Sequence, residues 1–580
     1  MRSKIEILFP INKHTQPRSG SYGGEHGKKH GNKRSILSHF KLFRIKSNKY
    51  NRFSSLSTLL FLVCWCCSQS VAQTWPWLIS VSGSGSETIS ALTTRTNDGP
   101  VVCGHFQNEL SIGNISETAT GNTDAFVAGL DATGEVQWVR TGSSAGADKS
   151  EAVDTDFENN IYWAGEYWFN SVFGALTLSA TKSAKAIFLL KLTPAGIPVW
   201  AKSIEGTGNK ILSAMVTDQE GNSYLSGNFS DSLFIENEVM TAVAEKDFFI
   251  IKFSPSGNLL WARQAGIAGE IQPRRMAYQN NQIAITGSMR GRYDFGTDTI
   301  QNNTNDSDAF LVVYAVNGNV RWARKIGGVN EQAGSDVAFD NHDNIYAVGS
   351  FYGLIRLRPD LEIQSPNLND NLYFIKYDVA GFPLAARSIG NLEIELSESL
   401  VFANDRFYWS GFFKNNFVVD GFSLQAGGAD FNTFILEIDT LSTVLNVHIV
   451  TSPSTVLLSE LVADAEGQIY CGGALNGTAI FNDQTELTAA NSFDGFVGQL
   501  TPLIVSVEAV AEASIKIYPN PATDFIRIER PSENLKITVF AMDGREILQT
   551  NQQTIDCREW PNGIYILKTN SGGVYLLMKK

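Results

Sequence analysis

One strand-like stretch ending near a glycine comes back seven times along this chain: PVVCGHF, NIYWAGEY, NSYLSGNF, QIAITGSM, DNIYAVGSF, RFYWSGFF and QIYCGGAL. Its glycines are Gly104, Gly165, Gly227, Gly287, Gly349, Gly411 and Gly473, at steps of 61, 62, 60, 62, 62 and 62. Three residues before the glycine stands Tyr162, Tyr224, Tyr346, Tyr408 or Tyr470, with Val101 and Ala284 in the other two units. A phenylalanine keeps the same beat at Phe126, Phe188, Phe249, Phe310, Phe374, Phe434 and Phe496. A tryptophan does so at Trp138, Trp200, Trp261 and Trp322. Three markers in phase define seven repeats.

Each repeat predicts four short strands, exemplified in the fifth by SDVAFD, NIYAVGSF, AFLVVYA and NVRWARKI. Val, Ile, Tyr and Phe bounded by Gly, Asn and Asp turns indicate antiparallel sheet. Near-continuous apolar runs imply burial on both faces, so one sheet must stack on its neighbours. Two layouts satisfy this: an all-β solenoid, or an all-β seven-bladed β-propeller with four-stranded antiparallel blades. The ends favour the ring. The last repeat stops at FVGQL without a tryptophan strand, while an orphan strand, TWPWLIS, precedes the first. Trp77 lies 61 residues before Trp138, in phase, so this N-terminal strand can close the last blade.

The net charge of −13 is made of +11 in residues 1–52 and −24 after them. So acidic a body argues against nucleic acid as a partner, by phosphate repulsion. The basic leader runs into LLFLVCWCC and then SQSVAQ, the layout of a secretory signal peptide cut after Ala72. Its apolar core is too short to span a bilayer, and no transmembrane span is expected after cleavage. The leader is long, so either the start lies further on or the leader is atypical. Cys103, Cys471 and Cys557 remain after cleavage. An odd, widely spaced set is no disulfide framework; a Cys103–Cys471 bridge and two buried free thiols both stay open.

Candidate chemistry is sparse. His105, His342 and His448 are the histidines beyond the leader, and they form no metal-ligand spacing; surface or turn positions are expected. GSSAG (Gly142–Gly146) matches the G-x-S-x-G nucleophile pattern, but it follows a strand where other repeats carry glycine-rich loops, so a loop is expected. Asp156, Asp218, Asp340 and Asp464 each lie nine residues before the repeat glycine. They fit turn aspartates bonded to backbone amides, with calcium binding or glycosidase-type acid/base pairs as the functional alternative. Phased aromatics suggest core packing, whereas Trp163, Trp168 and Trp409 break phase and are candidates for ligand contact. No catalytic, cofactor or metal residue is assigned, and no cofactor is expected.

The pattern of an Asp–Gly turn, Tyr, Gly, then DAF, then G…W resembles the bacterial β-propeller repeats of secreted proteins, over roughly residues 74–500. The tail carries Tyr518-Pro519-Asn520-Pro521, Met542-Asp543-Gly544-Arg545, Asn562-Gly563-Ile564-Tyr565 and Lys579-Lys580. It resembles the C-terminal sorting domain of the type IX secretion system of Bacteroidetes. The expected organisation is leader and signal peptide 1–72, propeller 73–500, linker 501–514, and sorting domain 515–580, a small β-sandwich. The resemblance implies the type IX machinery as a partner and a secreted or outer-surface location. The function expected is a non-catalytic binding or scaffold module, with surface polysaccharide or a protein ligand on one propeller face. A propeller-fold polysaccharide hydrolase or lyase, and a structural surface-coat protein, are the alternatives.

Overall fold

The computed structural model describes residues 75–501, apart from 183–184, 303, 366–369, 391–394, 429, 483–484 and 491, and in the tail 516–518, 521–529, 536–541, 545–569 and 574–580. The leader and signal peptide, and the linker after Thr501, lie outside these residues. Among the described residues there is no helix, and seven sheets share one antiparallel order of four consecutive strands. The first sheet runs Glu87–Thr94, Pro100–Phe106, Asp124–Leu130, Val136–Gly142. The seventh runs Val456–Ala463, Ile469–Leu475, Asp494–Leu500 and then Trp77–Ser82, taken from the other end of the chain. There Ser80 pairs Phe496 and Trp77 pairs Gln499. The first strand of each sheet packs on that of the next. Glu87–Thr94 packs on both Lys149–Thr155 and Val456–Ala463, so the succession closes on itself.

The repeat glycine has a steric cause. A Cβ at Gly165 would overlap the Lys149 carbonyl of the first strand and lie 2.8 Å from the Phe188 ring of the third. Glycine is therefore the residue over which the third-strand aromatic ring lies. The same pairing corrects the fifth phenylalanine marker: Gly349 pairs Tyr373, not Phe374. Phe374 faces the opposite side, its ring 5.4 Å from Tyr346 and 5.8 Å from Trp409. The strand grouping of the fifth repeat is corrected too. Gln332–Phe339 and Ile345–Phe351 pair onward with Asn371–Tyr377 and Pro383–Ile389, whereas Asp308–Ala315 and Val320–Ile326 finish the preceding sheet. The connection from Phe351 to Asn371 is the longer one and stays within the sheet because part of it folds into the hairpin Leu354–Arg358 and Leu361–Gln364, whereas the shorter Ile326–Gln332 connection crosses between sheets.

The phased tryptophans sit at the seams between sheets. The indoles of Trp200, Trp261 and Trp322 donate to the carbonyls of Pro255, Val316 and Val379 in the turn of the following sheet. Trp77 does the same to Ala132, 3.0 Å away, so the N-terminal strand supplies the seventh sheet's latch as well as its hydrogen bonds. An element with no clear repeat signal, a hairpin between the second and third strands, reinforces the seams. Ser232–Ile235 adds to the outer strand Pro198–Gly206 of the sheet before it, and Glu109–Ile112 adds to Trp77–Ser82.

The tail folds around its own core of Ile526, Ile528, Ile537, Val539, Ile555, Leu567 and others. Its strands form a three-stranded sheet (Lys516–Tyr518, Phe525–Glu529, Thr554–Asp556) and a four-stranded sheet (Glu546–Thr550, Ile537–Ala541, Gly563–Thr569, Val574–Lys579).

Candidate functional site

Every first strand carries a register shift at one equivalent place. The residues left unpaired by these bulges are Ser90, Glu151, Ser213, Arg274, Ser335, Ser459 and the pair Glu398–Ser399. A bulge releases one residue from the ladder and re-aims its side chain. At two of these places, side chains from sheets that are not neighbours meet. Arg274 of the fourth sheet reaches Glu398 of the sixth at 2.7 Å, and Arg275 reaches Glu460 of the seventh at 3.3 Å. Neither pair joins neighbouring sheets, so both bridges cross the interior. A cavity of ≈ 210 Å³ opens there, lined by Arg275, Tyr278, Asp336, Phe339, Phe402 and Glu460 among others.

The carboxylates of this channel are mostly committed. Glu460 accepts the Leu92 amide at 2.7 Å besides Arg275, and Asp336 accepts the amides of Val337 and Leu400, both at 2.7 Å. These are the amides of the next first strand, or of the bulge itself, that the broken ladder leaves over. Burial pushes Asp336 up to about 7 against the pull of Arg275 and the two amides. Burial also works against charge on Arg275, but Glu460, Asp336, Glu398 and Glu151 outweigh it and raise its pKa. Glu151 differs: burial, then Glu166, push it up to about 7 against Lys149, Lys185 and Arg275, with no hydrogen bond to it among the described residues.

Arg275→Gln removes the cation facing Glu460 and Asp336. Breaking one side of a largely buried pair costs about 3 kcal/mol, expected as a lower urea midpoint at unchanged slope. The loss should grow with pH. Asp336 titrates near 7 in the fold and near 4 when unfolded, so between those values the fold binds more protons and stability falls as pH rises. Without Arg275 that fall steepens and extends above pH 7. Equal losses at pH 5 and pH 8 would contradict this account.

A second cavity, ≈ 350 Å³, lies between the fourth and fifth sheets, lined by Arg324, Lys325, Arg358, Tyr377 and Phe382 among others. Arg324 donates to the Gly381 carbonyl at 3.0 Å and Lys325 pairs Asp308 at 2.9 Å. Arg358 lies 5.1 Å from the Phe382 ring centroid, and Phe382 is 51% exposed. The Arg358 Nε and the Tyr377 hydroxyl are buried without a hydrogen-bond partner. Each of the three cations already stands beside a carboxylate, Arg324 with Asp298 at 3.4 Å, Lys325 with Asp308 and Arg358 with Asp360 at 3.0 Å, so an anionic, partly flat ligand would share these cations and stack on the accessible ring.

The turn aspartates are filled. Asp218 accepts the Asn222 amide at 2.8 Å, the Asn222 side chain and the Tyr224 hydroxyl, with Lys252 3.5 Å away. Asp156 and Asp340 repeat the set with Asn160, Tyr162, Lys191 and with Asn344, Tyr346, Lys376; Asp464 keeps Gln468 and Tyr470. The repeat tyrosine is thus the polar half of a turn lock. In GSSAG, Ser144 is buried, donates to Asp148 and accepts the Gly146 amide, which is loop structure.

Two expectations change. Trp163 and Trp409 are 0% exposed, their indoles donating to Ser150 and Ser397, so they are core; only Trp168 is part-exposed. Large rings fit these out-of-phase positions because the facing residue is a serine that takes the N–H. His105 and His448 are neither surface nor turn residues. His105 is on a strand with a buried, unpartnered Nδ1, and burial with Lys149 pushes it down to about 3. His448 is buried on an outer strand, 2.8 Å from the buried Glu437. His342 does lie in the Asp340 turn. Cys103, Cys471 and Cys557 are buried free thiols.

Of the sorting-motif residues, Pro519, Asn520, Asp543 and Gly544 lie outside the described residues. Tyr518, Pro521 and Arg545 are exposed. Tyr565 is buried on the strand that Gly563 opens and donates to the Pro561 carbonyl at 2.7 Å. Lys579 and Lys580 return to the start of the domain: the Lys580 amide donates to Ala522, and the Ala522 amide to Met578. The first and last motifs are thereby joined.

Residues 516–580 match the secretion system C-terminal sorting domain. Over 353 residues, 49% of this chain, it is 23% identical to the uncharacterized WD repeat-containing protein L264 of Acanthamoeba polyphaga mimivirus, covering 25% of that protein. Over 164 residues, 27% of the chain, it is 25% identical to the regulatory protein FlaEY of Caulobacter vibrioides, covering 17% of it. The matched parts are well under two thirds of those relatives' lengths. Among solved structures, a Bacteroides caccae protein of unknown function aligns at TM-score 0.30 and 11% identity, covering 60% of this chain and 93% of that one. Kuenenia stuttgartiensis hydrazine synthase aligns at 0.35 and 10%, covering 73% and 99%.

Repeated antiparallel sheets joined to such a tail define an exported repeat protein. That tail is a secretion system C-terminal sorting domain, which delivers the protein to the cell surface or the medium.

Proposed function

We propose that residues 73–500 form a seven-bladed β-propeller closed by its N-terminal strand, that 515–580 form a sandwich-like sorting domain, and that the exported protein is a non-catalytic binding module. The observation that carries the non-catalytic reading is the state of the channel carboxylates. Glu460, Asp336 and Glu398 hold amides or arginines, leaving no free facing pair for acid and base work. The ligand fitted best is an anionic saccharide in the Arg324–Arg358 cleft, where guanidinium groups meet carboxylate or sulfate and Phe382 offers a stacking face.

The test is a glycan array rich in uronate and sulfated chains, run with a polysaccharide-degradation screen on the mature protein. Binding to acidic glycans is expected, weakened at least about tenfold by Arg358→Ala, the cost of one charge-assisted contact, with no release of new reducing ends. Degradation would overturn the non-catalytic reading.

One observation favours a polysaccharide hydrolase or lyase as the second reading. Glu151 stands in the channel with its carboxyl up to about 7, the range of a general acid. A degrading activity abolished by Glu151→Gln would establish it.

A further inference from the structure

The seam where the chain closes on itself holds an acidic pair that neither the channel nor the cleft uses. Glu87 opens the first strand of the first sheet, and Asp494 opens the third strand of the seventh. The Glu87 amide donates to the Phe493 carbonyl at 2.8 Å, setting the two acids side by side across the seam. Glu87 is 0% and Asp494 1% exposed. Neither Glu87 carboxylate oxygen has a hydrogen-bond partner, nor does Asp494 Oδ1; Asp494 Oδ2 accepts the Ala490 amide at 3.0 Å. No lysine or arginine acts on either carboxyl. Burial, then Asp494, push the Glu87 carboxyl up to about 8 against the pull of the Gly85 amide.

The matching positions of other sheets are satisfied. Where the first sheet has Glu87, the second has Asp148, held by Ser144, Ser171 and the Trp168 amide. The third has Lys210, donating to the Gly206 and Gly208 carbonyls, and the fifth has Gln332, donating to Val329 and Asn330. Where the seventh has Asp494, the third has Asp247, filled by two amides and Gln264, and the fourth has Asp308, paired with Lys325. At the closing seam, three buried carboxylate oxygens have no hydrogen-bond partner, and the Gly85 amide is the one group that favours the charged form of Glu87.

A buried carboxylate without a donor or counter-charge is strongly unfavourable. We propose that a divalent hard cation of the Ca2+ class binds between Glu87 and Asp494 and locks the closing seam. Two carboxylates balance its charge, and oxygen donors are what such an ion takes. Ser86 and Ser492, hydroxyl to hydroxyl at 3.1 Å, hold the same seam beside it. Gly83 brings the backbone close to the Glu87 carboxylate, where a Cβ would stand 2.7 Å from Oε1. An exported protein meets calcium at the level where such extracellular sites fill, about 0.1–1 mM. The proposal is independent of the ligand reading above.

The test uses the mature full chain, stripped with EDTA, then melted and titrated calorimetrically with calcium and with magnesium. Calcium at about 1 mM is expected to raise Tm by several degrees and to bind at one site per chain, with magnesium weaker. Glu87→Gln and Asp494→Asn should each abolish both responses, and Glu87→Gln should melt in EDTA no lower than the wild type, since it removes the repulsion. If Asp494→Asn fails to fold, the isosteric Glu87→Gln decides. A wild type indifferent to calcium overturns the proposal, as does a calcium response that survives Glu87→Gln. Indifference to calcium with stability falling as pH rises toward 8 would put a shared proton in place of the ion, and also overturns it.

Discussion

Val81→Pro is expected to unfold or aggregate this protein, although it alters a single residue six positions after the first described one. Val81 is 0% exposed and pairs on both sides, with Gly495 of the seventh sheet and Ile112 of the first repeat's hairpin. Its side chain packs in the cluster of Ile89, Leu110, Ile112 and Val497. Proline removes a ladder donor and forces the ring into a doubly paired strand, a loss of about 3 kcal/mol or more before packing is counted. The consequence spreads because each sheet is stabilised only by its neighbours. Losing the borrowed strand exposes the edge of Asp494–Leu500, a template for aggregation. The measurements are a melting scan and backbone hydrogen exchange. Loss of protection in the first sheet as well as the seventh is the expected result. Loss confined to residues 456–500 would mean that the array does not depend on closure. Moving residues 75–82 to follow residue 501 through a short turn should restore the melt, since the strand's place in the seventh sheet is what matters.

Much of this architecture was legible because its causes are local. A glycine that must clear an aromatic ring, an aspartate that caps its own turn and an indole that reaches the next turn each fix one residue type at one position. The phase of Trp77 located the closing strand for the same reason: its indole donates to a turn carbonyl of the following sheet, as those of Trp200, Trp261 and Trp322 do. Tyr373 was passed over in favour of Phe374 because either ring is apolar, and only the pairing with Gly349 separates them. The hairpins escaped because Glu109–Ile112 and Ser232–Ile235 gain their partners from the preceding sheet, a contact no sequence window contains.

The channel was invisible for a deeper reason. A bulge is a property of register between two strands, so the sequence of one strand does not announce it. What the sequence does contain is a break in composition: Arg274–Arg275 stands where five of the other six units carry a serine followed by Ala, Asp, Leu or Glu, and the sixth carries Glu151-Ala152. Those arginines have meaning only beside Glu398 and Glu460, from two other sheets. The seam acids were hidden likewise. Glu87 and Asp494 are 407 residues apart and meet only because the chain closes on itself.

Deleting residues 515–580 is expected to leave the protein in the periplasm, with export to the surface or medium lost rather than reduced. The tail has its own core and two sheets of its own, so its removal takes away a complete folded signal. The ring's latches, from Trp77–Ala132 to Trp322–Val379, all lie before residue 501, so the truncated protein should keep its melting temperature. Fractionation and immunoblotting read the first outcome and a melting scan of the periplasmic product reads the second. Removing only Lys579 and Lys580 makes a finer version. The Lys580 amide and the Met578 carbonyl clasp Ala522, directly after the exposed Pro521. Loss of that clasp should loosen the join between the first and last motifs and slow export while leaving the ring untouched. Normal export of the 515–580 deletion would separate the tail from the sorting step altogether, and a fall in the truncated protein's melting temperature would show that the tail supports the ring as well as addressing it.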